Sequence, residues 1–140
     1  MKTNKKLVAL MAVAGSLLMA GALVITAAAA PNPFRGAWHS VDVDGSHQTL
    51  RIGGGPGSSY HVRYFDDGAT VCGLDPVTGD FLYAAFARGV LAGSGYTIAG
   101  DLPVYCLAHP RYLYATAPFG YTYDPGTNTL TDVQGIVWYR

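Results

Sequence analysis

The last twenty-two residues, 119–140, constrain the fold of this chain more than any other stretch. Phe119, Tyr121 and Tyr123 alternate with small residues, the run Asp124-Pro-Gly-Thr-Asn128 interrupts them, and residues 129–132 and 136–139 follow on either side of a break near Gly135. A period of two punctuated by Gly, Pro, Asn and Asp marks strands joined by tight turns. A four-residue loop, 125–128, sets Tyr123 opposite Leu130 and Tyr121 opposite Asp132, which puts the aspartate on the inward face. In that register a bond from the Tyr121 hydroxyl can satisfy it, as a structural pair or as the polar anchor of a pocket, whereas a one-residue slip of the turn would face Asp132 to water.

The same grammar runs back through the chain. Residues 36–43 and 46–52 read as a hairpin around Asp44-Gly45, a pair suited to a type I′ turn. That register places His39 opposite Leu50 and Val41 opposite Gln48 on the core face, with Trp38 opposite Arg51 and Asp42 opposite His47 on the other. Residues 60–66 and 69–72 read as a second hairpin around Asp67-Gly68, with Tyr60, Val62 and Tyr64 on one face. In 75–80 and 124–128 an Asp-Pro pair opens a turn that the aspartate can cap. Residues 81–88 read as a strand, although their alanines also permit a short helix. Segments 96–100, 104–108 and 112–116 are further short strands, with Pro103, Pro110 and Pro118 at edges or bends. The sum is an all-β antiparallel meander of about eight to ten short strands, which removes its exposed edges by closing into a small barrel.

Residues 1–29 have the layout of a secretory signal peptide, with Lys2, Lys5 and Lys6 ahead of an uncharged run and small residues at the cut. An uncleaved anchor is the competing reading, because a run of that length can span a bilayer. Residues 30–140 then make a single β-barrel domain, large enough for one core and too short for two. Every lysine lies in the leader, so the domain sets six arginines against nine aspartates. A net charge of about −3 argues against a nucleic-acid partner, and the absence of Glu and Lys favours strands over surface helices. Cys72 and Cys106 are the only cysteines and are expected to form a disulfide. That implies a secreted or extracytoplasmic location, in the periplasm or at the cell surface, with no membrane attachment after cleavage.

Catalytic, metal and cofactor signatures are missing from the sequence. Gly93-Ser94-Gly95 lacks the G-x-S-x-G frame of a nucleophile elbow. The glycine-rich loop 53–59 lacks the lysine and helix of a phosphate cradle, and Asp42-Val-Asp-Gly45 lacks the later ligands of a calcium loop. Ser40, His47 and Asp42 can be drawn as a triad near the first hairpin tip, but an exposed ion pair is the commoner outcome for such neighbours.

Gly36-Ala-Trp38 on the first strand resembles the G-x-W signature of lipocalins and the wider calycin group. Arg140 resembles the arginine that packs on that tryptophan, and Thr131-Asp132 is similar to the start of the family's T-D-Y turn. The resemblance implies an up-and-down barrel with a ligand cavity inside. Ten Tyr, five Phe and two Trp all fall in the domain, and tyrosine supplies both a ring to stack and a hydroxyl to orient a ligand. The expected lining is Trp38, Tyr60, Tyr64, Tyr121 and Tyr123, with Asp132 as a polar anchor. The expected function is non-catalytic binding of a small, partly apolar molecule. An extracellular structural or protein-interaction module with a filled core is the alternative, and a small hydrolase the third.

Overall fold

The computed structural model describes residues 32–54 and 58–140, so the expected signal peptide and the centre of the glycine-rich loop lie outside the described residues. Eight strands run in order: β1 Gly36–Val41, β2 His47–Gly53, β3 Ser59–Asp66, β4 Ala85–Ser94, β5 Thr97–Cys106, β6 Tyr112–Asp124, β7 Thr129–Asp132 and β8 Val137–Trp138. Each pairs antiparallel with the next in a single sheet. The two edges meet where His39 and Tyr139 exchange backbone hydrogen bonds of 2.7 and 2.9 Å, and the Ser40 hydroxyl donates to the Val137 carbonyl at 2.8 Å. The sheet is thus a nearly closed barrel, and the all-β meander expected from the sequence is what forms.

Alternation supplies the core. Leu50 and Ile52 on β2, Tyr60 and Val62 on β3, Ala85, Ala87 and Leu91 on β4, and Ile98, Leu102 and Val104 on β5 are all buried. Position 93 faces this interior and requires glycine, because a Cβ there would overlap the Tyr60 ring and stand 3.2 Å from Ile98. Gly93→Ala should therefore cost about 1–3 kcal/mol through overpacking. Urea unfolding measures this, and an unchanged midpoint would mean that Tyr60 moves freely.

The first hairpin differs from expectation by one residue. Trp38 pairs with Leu50, His39 with Thr49 and Val41 with His47, so Trp38 points inward and His39 outward. A type I′ turn needs positive φ at both Asp44 and Gly45, and only Gly45 has it, at +90°. The chain instead closes through Gly45 N–H to the Asp42 carbonyl at 3.0 Å and Asp42 N–H to the Ser46 carbonyl at 2.9 Å. This is a turn followed by a glycine bulge, and the extra residue reverses the faces of β1.

The second expected hairpin does not form. Residues 69–72 are not a strand; Thr70–Cys72 is a single 3₁₀ turn, and β3 pairs with β4 from Ser59↔Ala92 to Asp66↔Ala85. Eight strand pairs with β4 outweigh the four available to 69–72. The connection between β3 and β4 is consequently long. Asp66 and Asp67 help shape its start by accepting from Gly68 N–H at 3.2 Å and His47 N–H at 2.7 Å. Farther along, Asp75 caps its turn as expected, accepting from Val77 and Thr78 N–H at 2.8 and 2.9 Å. The strand expected over 81–88 begins only at Ala85, with Phe81 held by a lone bridge to Leu74.

Segments 96–100 and 104–108 merge into β5, and 112–116 merges with the aromatic run into β6. Pro103 is tolerated because the β4–β5 ladder is interrupted between Ala87↔Val104 and Ala92↔Ala99. Cys72 and Cys106 are joined, with Cα atoms 5.5 Å apart and both side chains buried. The bond ties the β3–β4 connection to the end of β5.

Candidate binding site

The two ends of the barrel differ in character. At one end, aromatic side chains fill the space against each other. Phe34 meets Tyr60 and Tyr123 edge-on at centroid distances of 5.2 and 6.2 Å, and Trp38 meets Tyr123 at 6.4 Å. The Trp38 indole N–H donates to the Phe34 carbonyl at 2.8 Å. The Arg140 guanidinium lies 4.2 Å over the Trp38 ring and donates to the Pro33 carbonyl. Such stacking is favourable because the ring face is electron-rich. Arg140 thereby closes this end.

The other end opens into a cavity of about 210 Å³. Tyr64, Phe119, Tyr121 and Trp138 form its aromatic wall. Tyr64 packs on Phe119 at 5.3 Å and Trp138 on Tyr121 at 5.8 Å, both edge-on. Asp42, Asp44, Asp66 and Asp132 also line it, and among the described residues no basic side chain does. Ala69, Thr70 and Val71, from the disulfide-tied connection, cover one side. Thr70 Oγ donates to Asp44, which also accepts from Ser46 N–H at 3.0 Å and its hydroxyl at 2.7 Å.

A hydrogen-bonded cluster sits within the lining. Gln48 Nε2 donates to Asp42 Oδ2 and to the Tyr64 hydroxyl, each at 2.9 Å, and lies 3.5 Å from Asp66 Oδ2. The Tyr64 hydroxyl donates to Asp66 Oδ2 at 3.1 Å. Gln48 is buried, and its Oε1 has no hydrogen-bond partner among the described residues. The cavity thus carries more acceptors than donors. Burial raises the Asp42 carboxyl above its ordinary value; the Val43 N–H opposes this, and Asp44, Asp66 and Asp132 add to it by repulsion. Burial, then the Asp66 charge, drives the Tyr64 hydroxyl far above the ordinary phenol range, and burial with the Asp132 charge does the same for Tyr121. Both hydroxyls therefore stay protonated at any physiological pH and cannot act as bases.

No family model, characterised protein or solved structure matches this chain.

Of the side chains expected to line a pocket, Tyr64, Tyr121 and Asp132 do so. Trp38, Tyr60 and Tyr123 belong to the packed end. The register that pairs Tyr121 with Asp132 is the expected one, but the hydroxyl bond is not made. Asp132 Oδ2 accepts from the Trp138 indole at 3.1 Å, while Oδ1 accepts from Gln134 and Ile136 N–H at 2.9 Å each. The carboxylate is used to fold the chain from β7 into β8, which brings Trp138 into the wall. Phe119, Trp138, Gln48, Asp42 and Asp66 join the lining beyond the side chains that the sequence predicts. Phe119 shares the alternation of Tyr121, and Gln48 was already on the expected core face, where a polar side chain is itself a signal. The triad drawn from Ser40, His47 and Asp42 does not assemble. Ser40 is bonded to Val137, Asp42 turns to Gln48, and His47 is exposed on the outside.

Proposed function

We propose that this protein is a non-catalytic, extracytoplasmic binder of a small, partly apolar molecule held at the open end of its barrel. The observation that carries the reading is the cavity of about 210 Å³, aromatic on one side and carboxylate-rich on the other. Drug-sized pockets run to about 300–1,000 Å³, whereas a void of about 150 Å³ accepts benzene. The occupant is therefore a single-ring molecule or its equivalent. The four carboxylates in the lining call for a ligand that donates hydrogen bonds, best as an ammonium group.

Two other features support this reading. Arg140 stacked on Trp38 is the contact that the calycin resemblance implies, and calycin-like barrels hold ligands inside. The buried disulfide suits an oxidising compartment, in keeping with the secretory layout of residues 1–29. Among the described residues no helix is long and apolar enough to cross a membrane.

Calorimetry with benzylamine and its neutral counterpart benzyl alcohol tests the proposal. Benzylammonium should bind the more tightly, and Asp66→Asn should weaken it about tenfold, the loss of one charge-assisted contact. Binding should strengthen as pH rises from acid through the Asp42 titration, whose folded value lies above the carboxylate reference of 3.8, because the ionised form attracts the cation. Should neither probe nor an apolar dye bind at millimolar concentration, the structural module becomes the better account, consistent with the filled end around Trp38.

A further inference from the structure

A second feature lies on the outer wall, away from the cavity and independent of it. Arg51 on β2 is directly opposite Arg63 on β3, and Arg63 is directly opposite Arg88 on β4. All three are exposed. They line an open groove of about 730 Å³ that also takes in Arg35 and His61 and, among the described residues, contains no acidic side chain. Four of the six arginines of a domain with net negative charge thus converge on one face.

Sheet pairing does not explain this row. Like charges directly opposite each other on neighbouring strands repel and weaken the sheet, and the barrel's interior gains nothing from side chains that point outward. The row does have the geometry of an anion receptor. Adjacent strands lie about 4.8 Å apart, so three neighbouring arginines span about 10 Å. Guanidinium forks bind oxyanions through paired hydrogen bonds. A tetrahedral phosphate has enough oxygens to bridge two neighbours, and a carboxylate, with only two, does so less well. We infer that the groove over β2, β3 and β4 binds a short linear chain of phosphate groups, with Arg63 as the central contact and Arg51 and Arg88 flanking it.

The test is calorimetric titration of the purified protein with sodium tripolyphosphate at low ionic strength. The comparison is among Arg63→Gln, Arg51→Gln and Arg111→Gln. Arg111 is outside the groove, its guanidinium 5.0 Å over the Tyr105 ring, so its loss changes net charge equally without touching the row. The expected result is a loss of about tenfold or more for each groove variant, as for removal of a charge-assisted bond, against less than about twofold for Arg111→Gln. Orthophosphate should bind more weakly than tripolyphosphate, and salt should weaken both. The ligand-free Arg63→Gln protein should melt no lower than the parent, since it relieves repulsion. Equal losses in all three variants, no detectable tripolyphosphate binding, or a lowered melting point of ligand-free Arg63→Gln with binding intact in Arg51→Gln would each overturn the inference.

Discussion

Trp38→Ala is expected to lower the unfolding free energy by about 3–5 kcal/mol, the range for emptying a large aromatic site in a packed core. Trp38 is fully buried. Its removal takes away the edge contact with Tyr123, the bond to the Phe34 carbonyl and the surface on which Arg140 lies. The bond to Phe34 and the Arg140 stack hold the segments before β1 and after β8 to the barrel, and the Tyr123 contact ties them to β6, so the loss should be cooperative. Trp38→Phe separates the contributions: it keeps most of the packing, loses the indole bond, and should cost about 1–2 kcal/mol. Urea unfolding followed by circular dichroism reads both. A Trp38→Ala protein with a midpoint near the parent's would show that the packed end does not hold the fold together.

Removing the disulfide should have an effect of similar size. Cys72 and Cys106 are 34 positions apart, and closing a loop of that length restricts the unfolded chain by about 3–4 kcal/mol on the loop-entropy estimate. The paired Cys72→Ala and Cys106→Ala protein should therefore unfold at distinctly lower urea. A second consequence is local. The β3–β4 connection supplies Ala69, Thr70 and Val71 to the cavity, and the disulfide ties it to β5. In the alanine pair, amide exchange should rise in residues 67–84 before it rises in β3, β4 or β5. Benzylamine affinity should fall with it, since one wall of the cavity loosens. Uniform exchange across the barrel would show that the connection is held by its own turns and not by the bond.

How far the sequence could be read depended on what each element needed to know. The β6–β7 hairpin was readable because its turn is locally determined. Asp124 accepts from Gly126 N–H at 2.7 Å, and Asn128 takes the left-handed conformation at φ 55°. The register follows from that loop alone. The β1–β2 hairpin was not readable in the same way. Asp-Gly serves either a two-residue turn or a turn with a glycine bulge, and the two differ by one residue. The choice between them depends on partners distant in sequence: burial of Trp38 beneath Arg140, and the closing bridge between His39 and Tyr139. Residues 69–72 looked like a strand because their local pattern fits one, but β4 offered the longer pairing to β3.

The binding site divides along similar lines. Alternation along a strand assigns a face, and on that ground Tyr60, Tyr64, Tyr121 and Tyr123 all point inward as expected. It does not assign a height along the barrel axis. Tyr60 and Tyr123 therefore ended in the packed end, while Tyr64 and Tyr121 reached the cavity, and nothing local distinguishes the two pairs.

By itself, then, the sequence determined the all-β meander, the cysteine pairing and the inward faces of β2, β3, β6 and β7, because these follow from period, turn chemistry and the presence of only two cysteines. The tertiary structure alone decided the β1 register, the path of residues 67–84, the division of the barrel into a filled end and an acidic open end, and the alignment of three arginines across its outer wall. Each of these depends on how far one strand is shifted against another, and that shift is set by contacts between residues far apart in the chain.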